Sequence, residues 1–289
     1  MKKKLGFVIA LLLLPLSGCG IISIGYNYAD AYLRYSINSY ASFNDEQKST
    51  IKKEVNDFML WHRANMLPEY VSFLQELRKT AQSGATLTKE DVARFRSEVR
   101  TLYIKTLQPT VRPAALLLSS VKPAQIEELA SSFAKENNKQ KDKELSGSLD
   151  EQMRKRSQRT IDFIENLVGG FSDKQLEKVR DMNRRLPFAT GLYIRLREDN
   201  QARLIELLQS KMGAEDIAAF LSAWLVTPEA GRSPDEQSTL LAFENASDEI
   251  TASVYAMLTD RQKKTLLKNI VKYIDTFQDL AGKNSSARR

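Results

Sequence analysis

Cysteine and histidine are almost absent from this 289-residue chain: Cys19 is its only cysteine and His62 its only histidine. A single cysteine excludes an intramolecular disulfide, so the fold must stand on its apolar core. Zinc sites built from several histidine or cysteine ligands are excluded by count, and the sequence asks for no metal and no cofactor. A Ser-His-Asp or Cys-His relay would have to use His62 itself. No glycine-rich phosphate loop occurs; Gly169-Gly170, between Val168 and Phe171, reads as a helix stop before a new helix. Period-two runs rich in β-branched residues are missing, which argues against a sheet. Nucleic-acid motifs are missing too, and nucleic acid is not an expected partner.

The one long apolar run, Leu5 to Leu16, follows Lys2, Lys3 and Lys4 and is too short to cross a bilayer. Ser17 and Gly18 then lead into Cys19. This order of charge, apolar core, small residues and cysteine resembles the lipobox of bacterial lipoproteins. The resemblance implies a diacylglycerol on the Cys19 thiol and a cut that removes residues 1–18 as a signal peptide. Gly20 stands where an Asp would resemble the enterobacterial inner-membrane retention signal, so the expected location is the periplasmic face of the outer membrane. Removing 18 of 289 residues leaves 271, and losing the three lysines lowers the formal charge from +7 to +4. That balance suits anionic headgroups and ordinary soluble domains alike.

After a lipidated tether over 19–25, apolar residues recur at helical spacing, as in Ile51, Val55, Phe58 and Met59, or Leu266, Leu267, Ile270 and Ile274. The pattern predicts helices at 26–41, 45–82, 88–108, 113–120, 123–142, 149–168, 172–185, 188–211, 214–226, 234–257 and 260–281. The expected fold is an all-α, multi-helix bundle over 26–281, either as one body or as lobes 26–168 and 171–281. Pro68 is expected to kink or end its helix near Leu67. The polar stretch 135–150 reads as a solvated helix end or a lobe boundary, and 282–289 as a frayed tail.

Four helix starts share one pattern: Phe43-Asn44-Asp45-Glu46-Gln47, Val121-Lys122-Pro123-Ala124-Gln125, Phe171-Ser172-Asp173-Lys174-Gln175 and Leu258-Thr259-Asp260-Arg261-Gln262. Ser, Thr or Asn caps the helix, an acid or proline suits the first turn, and the glutamine reaches back to the cap N–H. Lys122 is the exception, because an ammonium cannot accept that bond. Independent capping boxes explain the pattern; so does an old duplication with halves near 43–168 and 171–281. At another corner, Ser233, Pro234 and Glu236 form a further box after the stop at Thr227-Pro228.

Candidate site residues are few. His62, within Trp61-His62-Arg63, reads as a packed or hydrogen-bonded helix contact ahead of catalysis. Trp61 joins it as a binding candidate. Asp30, Glu54, Asp57 and Glu69 are carboxylates that an enzyme would have to bring together in three dimensions. Arg154, Lys155, Arg156 and Arg159 make a basic cluster, read as a solvated face or as a contact for lipid phosphates or an acidic partner. Tyr26, Tyr28, Tyr32, Tyr35 and Tyr40 crowd the first helix, about six residues and at most about 20 Å from the lipid. They suit a membrane interface or the edge of a core.

Several stretches together resemble a family of uncharacterised Gram-negative helical lipoproteins. They are the lipobox, Tyr26-Asn27-Tyr28-Ala29-Asp30, Trp61-His62-Arg63 with Leu67-Pro68-Glu69-Tyr70, Arg232-Ser233-Pro234 and the closing Leu258-Thr259-Asp260-Arg261-Gln262. That family brings no activity with it. The closing motif also resembles the Leu-Thr-x-x-Gln signature of small periplasmic stress chaperones built from curved helical hairpins. The expectation is a lipid-anchored envelope protein that acts by binding, as a scaffold or chaperone-like module for an envelope protein partner; the alternative is a carboxylate-based envelope enzyme.

Overall fold

The computed structural model describes residues 18–286, and the side-chain surroundings of 22–282. Residues 1–17 of the signal expected over 1–18, the Cys19 side chain and the last expected tail residues, 287–289, lie outside the described residues. The described chain is all α: α1 (Gly18–Asn27), α2 (Ala29–Asn38), α3 (Asp45–Gln82), α4 (Lys89–Ser119), α5 (Pro123–Leu145), α6 (Leu149–Val168), α7 (Asp173–Arg184), α8 (Thr190–Gln209), α9 (Ala214–Leu225), α10 (Pro234–Ala256) and α11 (Asp260–Ser286), with a 3-10 turn at Pro228–Gly231.

Four expectations about helix ends are corrected. Helices at 88–108 and 113–120 are one helix, α4, which carries Pro109 and Pro113 inside it. Each proline removes a backbone bond at a cost near 3 kcal/mol. Val111 and Ala115, buried in the same core as Ile217 and Leu221 of α9, offset that loss. Likewise α3 does not end at Pro68, since Met66, Leu67, Tyr70 and Val71 are all buried around it. At the N-terminus, 19–25 is no extended tether, because α1 begins at Gly18. The tail from Gly282 to Ser286 continues α11. The polar stretch after 135 is a solvated helix end running to Leu145.

The capping glutamines do more than cap. Gln47 Oε1 accepts from its own Asn44 N–H at 3.0 Å and from Gln125 Nε2 at 2.8 Å. Its Nε2 donates to Ser120 O at 3.1 Å and to Gln125 Oε1 at 3.3 Å. Gln125 answers in kind: its Oε1 accepts from Lys122 N–H at 2.9 Å, and its Nε2 donates to Ser42 O at 2.9 Å. Gln175 and Gln262 repeat the arrangement. They exchange amide bonds of 2.9 and 3.3 Å, accept from Ser172 N–H and Thr259 N–H, and donate to Met257 O and Gly170 O. In every case the acceptor carbonyl belongs to the residue just before the partner's Phe, Val or Leu. Each amide thus fills its capacity of two acceptances and two donations. Lys122, as its chemistry requires, makes no side-chain cap bond.

One clamp ties the starts of α3 and α5; the other ties α7 and α11. Each therefore lies within one of the two halves considered from sequence, and this matching geometry is the pattern of an internal repeat. The halves do not pack as separate lobes. The largest interface sets α11 of the second half along α3 of the first, while α5 of the first lies along α8 of the second. Both larger cores mix the halves: Ile51, Val55, Leu204 and Leu208 in one, Leu67, Tyr70, Ile274 and Leu280 in the other.

Replacing amide by carboxylate separates clamp from cap. Glu can close a capping box, as Glu151 does for Ser148, but cannot donate. Gln47→Glu is expected to cost about 3 kcal/mol, leaving buried groups unpaired. Glu151→Gln is expected to stay within about 0.5 kcal/mol of the parent. Urea midpoints measure both, and equal effects would reject the clamp.

Candidate functional site

His62 is 2 % exposed, on the stripe of α3 that also carries Met66 and Tyr70. Tyr26 of α1 approaches its Nδ1 at 2.9 Å, and Tyr70 Oη lies 3.2 Å from Nε2. Tyr70 Oη is 2.8 Å from Thr106 Oγ1 on α4, and Thr106 Oγ1 donates to Leu102 O at 2.8 Å. That last bond sets the direction of the rest. Thr106, with its proton committed, accepts from Tyr70; Tyr70 then accepts from His62 Nε2–H, and Nδ1 accepts from Tyr26. The chain therefore runs one way, fixes the Nε2–H tautomer, and ends on a backbone carbonyl.

Burial lowers the His62 pKa from 6.5 to about 4, so the ring is neutral at ordinary pH. Desolvation raises the Tyr26 and Tyr70 hydroxyls as well, with Arg63 opposing at Tyr26 and the Thr106 bond opposing at Tyr70. Phe58 and Phe277 border the group, their centroids 5.6 Å from His62 and 6.1 Å from Tyr70 respectively. Both imidazole nitrogens are engaged by tyrosine hydroxyls from within the helix contact. The arrangement holds α1, α3 and α4 together, as the sequence reading of His62 expected.

The four carboxylates do not converge. Asp30 pairs with Arg34 at 2.7 Å, Glu54 and Asp57 both hold Lys53, and Glu69 meets Lys105 at 2.9 Å. Trp61 is half-buried, its ring centroid 6.0 Å from that of Phe58. With Asn65, Glu69, Lys105 and Gln108 it lines an open groove of about 420 Å³. Among the described residues, no group of three or more His, Cys, Asp or Glu is placed to hold a metal ion.

Nor do the basic residues form one face. Arg154 pairs with Asp150 at 2.5 Å, Arg159 with Glu144, and Lys155 donates to Ser146 O and Oγ at 3.3 and 3.2 Å. Arg156 points inward. It donates to Asn183 O, Pro187 O and Leu186 O at 2.8, 3.2 and 3.4 Å, serving the carbonyls left open where α7 ends. Desolvation, with Arg159 adding repulsion, lowers its pKa.

Sequence reasoning missed three buried polar links. Arg96 grips Asp248, 2 % exposed, through Nε at 3.0 Å and Nη2 at 2.9 Å, and reaches Glu244 through Nη1 at 2.8 Å, which ties α4 to α10. Asn137 Nδ2 donates to Gln201 Oε1 at 2.7 Å, and Arg197 Nη2 donates to Asn137 Oδ1 at 2.7 Å, joining α5 to α8. The glutamine clamps are the third. Only the clamps left a local signal, a glutamine where a glutamate would cap equally well.

The titration of His62 has a definite sign. The unfolded chain takes up a proton near pH 6.5 and the folded chain only near 4, so this group's stability is complete above 6.5 and is lost as pH falls through that window. Between pH 7 and pH 5 the loss is about 2 kcal/mol. His62→Gln is expected to lower stability by about 1–2 kcal/mol at pH 7 and to remove that slope, as urea titrations at both values would show. A parallel pair of pH curves would contradict the buried neutral ring.

Arg156 and its neighbours should also part company. Arg156→Ala is expected to cost about 2 kcal/mol, through carbonyls left without a donor. Arg154→Ala is expected to cost under about 1 kcal/mol, as exposed pairs do. Thermal midpoints distinguish them.

A model described as a family of unknown function (DUF6279) matches residues 39–235, well over half of the chain. The chain belongs to that family. No curated protein and no solved structure matches it. The match bears out membership of an uncharacterised family; Leu16-Ser17-Gly18-Cys19 precedes the matched stretch and Leu258-Thr259-x-x-Gln262 follows it.

Proposed function

We propose that this member of the family is a lipid-anchored envelope protein that acts by binding, as a scaffold or chaperone-like module at the periplasmic face of the outer membrane. Cys19 is its lipid attachment, reached after the Lys2–Lys4 and Leu5–Leu16 signal, and Gly20 favours the outer membrane. An unidentified envelope protein is the partner; nucleic acid is not.

The observation that carries the reading is the pair of glutamine clamps. Leu258-Thr259-x-x-Gln262, which resembles the periplasmic chaperone signature, is here half of a reciprocal lock with Gln175, and a second lock of the same form joins Gln47 and Gln125. In this chain the motif joins two helices as well as capping one. The interior histidine and Arg156 supply structural bonds. The outer faces meanwhile carry large apolar side chains such as Leu116, Leu149, Phe163 and Leu241, which suit contact with apolar segments of an unfolded partner.

Two measurements test this reading. Purified mature protein is expected to suppress light scattering of reduced insulin at near-equimolar ratio, and His62→Gln is expected to retain that effect wherever it remains folded. Absence of suppression by the folded parent would remove the chaperone-like version. For the anchor, Cys19→Ser is expected to abolish lipid labelling and leave uncut precursor or a soluble form. Unlipidated mature protein held in the membrane as firmly as the parent would overturn it.

A further inference from the structure

We propose that the outward face of the first two helices lies on the headgroup layer of the membrane that holds Cys19, so that Ile24, Tyr28 and Tyr35 form a second, non-covalent membrane contact. This rests on the lipid-anchor reading above. The inward face is fixed by burial: Ile22 and Tyr26 are each 4 % exposed and Ala29 is 0 % exposed. On the opposite side Ile24, Tyr28 and Tyr35 are 58, 69 and 59 % exposed. Their spacing of four and seven residues, with exposed Ala31 between, traces one stripe on a helix. It extends about 16 Å. The backbone is nearly continuous, since Tyr28 N–H donates to Ile24 O and Tyr32 N–H to Tyr28 O, each at 3.1 Å.

What covers this stripe is indicated by its place next to the proposed lipid attachment at Cys19. Because α1 begins at Gly18, Cys19 is part of the same helix, and about 8 Å of helix separates it from Ile24. An extended tether would allow the body to drift from the bilayer; a helical one holds Ile24 beside the acyl chains. The chemistry of the stripe agrees. Tyrosine has an apolar ring and a polar tip, the combination enriched at the lipid–water boundary. Two guanidinium groups flank it: Arg34, bonded to Asp30 and Asn56, and Arg63, bonded to Asn27 and 5.1 Å from the Tyr26 ring centroid. Leu60, 59 % exposed, lies on α3 between Asn56 and Arg63, the residues that bridge to α2 and α1, and so widens the apolar strip at the same seam. No described helix is long and apolar enough to cross a membrane, so this face would rest on the bilayer without spanning it.

The lone cysteine makes the test direct, because an acylated Cys19 thiol cannot take a maleimide. Mature protein is purified from membranes in four forms: the parent, Tyr28→Cys, Tyr35→Cys and Leu241→Cys, the last being an exposed site on α10. Each is reconstituted in phosphatidylethanolamine–phosphatidylglycerol vesicles and treated with a maleimide nitroxide. The expected result is no label on the parent, and labels at 28 and 35 severalfold less accessible to a water-soluble relaxant, and severalfold more to oxygen, than the label at 241. An unlabelled parent with positions 28 and 35 as aqueous as 241 would overturn the membrane-facing stripe while leaving the anchor intact. A parent that labels at Cys19 and washes off the vesicles would overturn the anchor, and this contact with it.

Discussion

A primary amide is the smallest side-chain group that both accepts and donates two hydrogen bonds, and this fold depends on that symmetry. At four helix starts a glutamine must satisfy the cap N–H of its own helix while holding the carbonyl that precedes another. A carboxylate meets the first demand and fails the second; an ammonium does the reverse. Two glutamines facing each other complete both sets with nothing left over. Helix ends that would otherwise need water are thereby closed inside the protein, where an unpaired amide or carbonyl costs about 1–3 kcal/mol.

The capping pattern recurs in two halves of the chain, yet the molecule is one body. Each clamp joins the starts of two helices of its own half, α3 with α5 and α7 with α11, while α3 and α5 pack along α11 and α8 of the other half. The polar links lie where those exchanged helices cross. Asn137, Gln201 and Arg197 join α5 to α8, and Arg96 with Asp248 and Glu244 joins α4 to α10. The His62 chain does the same for α1, α3 and α4. Such directional bonds set the register between helix faces that would otherwise slide on Leu and Ile contacts alone.

Helical content, most boundaries and the caps at Asn44, Ser172, Ser233 and Thr259 were legible because they depend on spacing and on local bonds. So was the stop at Gly169, whose φ of 89° suits a residue without a side chain. His62 was readable as a packed residue, although its partners 36 and 8 positions away were not. Continuity through Pro109 and Pro113 was illegible for a related reason. Local rules count the lost backbone bonds, while the compensation comes from α9, about a hundred residues later. Arg156 looked like part of a surface cluster because sequence reports its neighbours in the chain and not the broken end of α7 that it serves. The glutamine pairing needed two distant motifs to be imagined face to face, and the only local hint was the choice of Gln over Glu.

The clamps also have a bearing on the medium the protein tolerates. Neither contains a charge or a titratable group, so the four helix starts are joined by bonds that neither acid nor salt can weaken directly. Among the interior polar links only a few respond to conditions: the His62 ring to protons, and the Arg96 grip on Asp248 and Glu244 to ionic strength at its exposed edge. A protein assembled this way keeps its helix origins in place while the composition of its surroundings changes, and yields first at α1, α3 and α4 when acid reaches the imidazole.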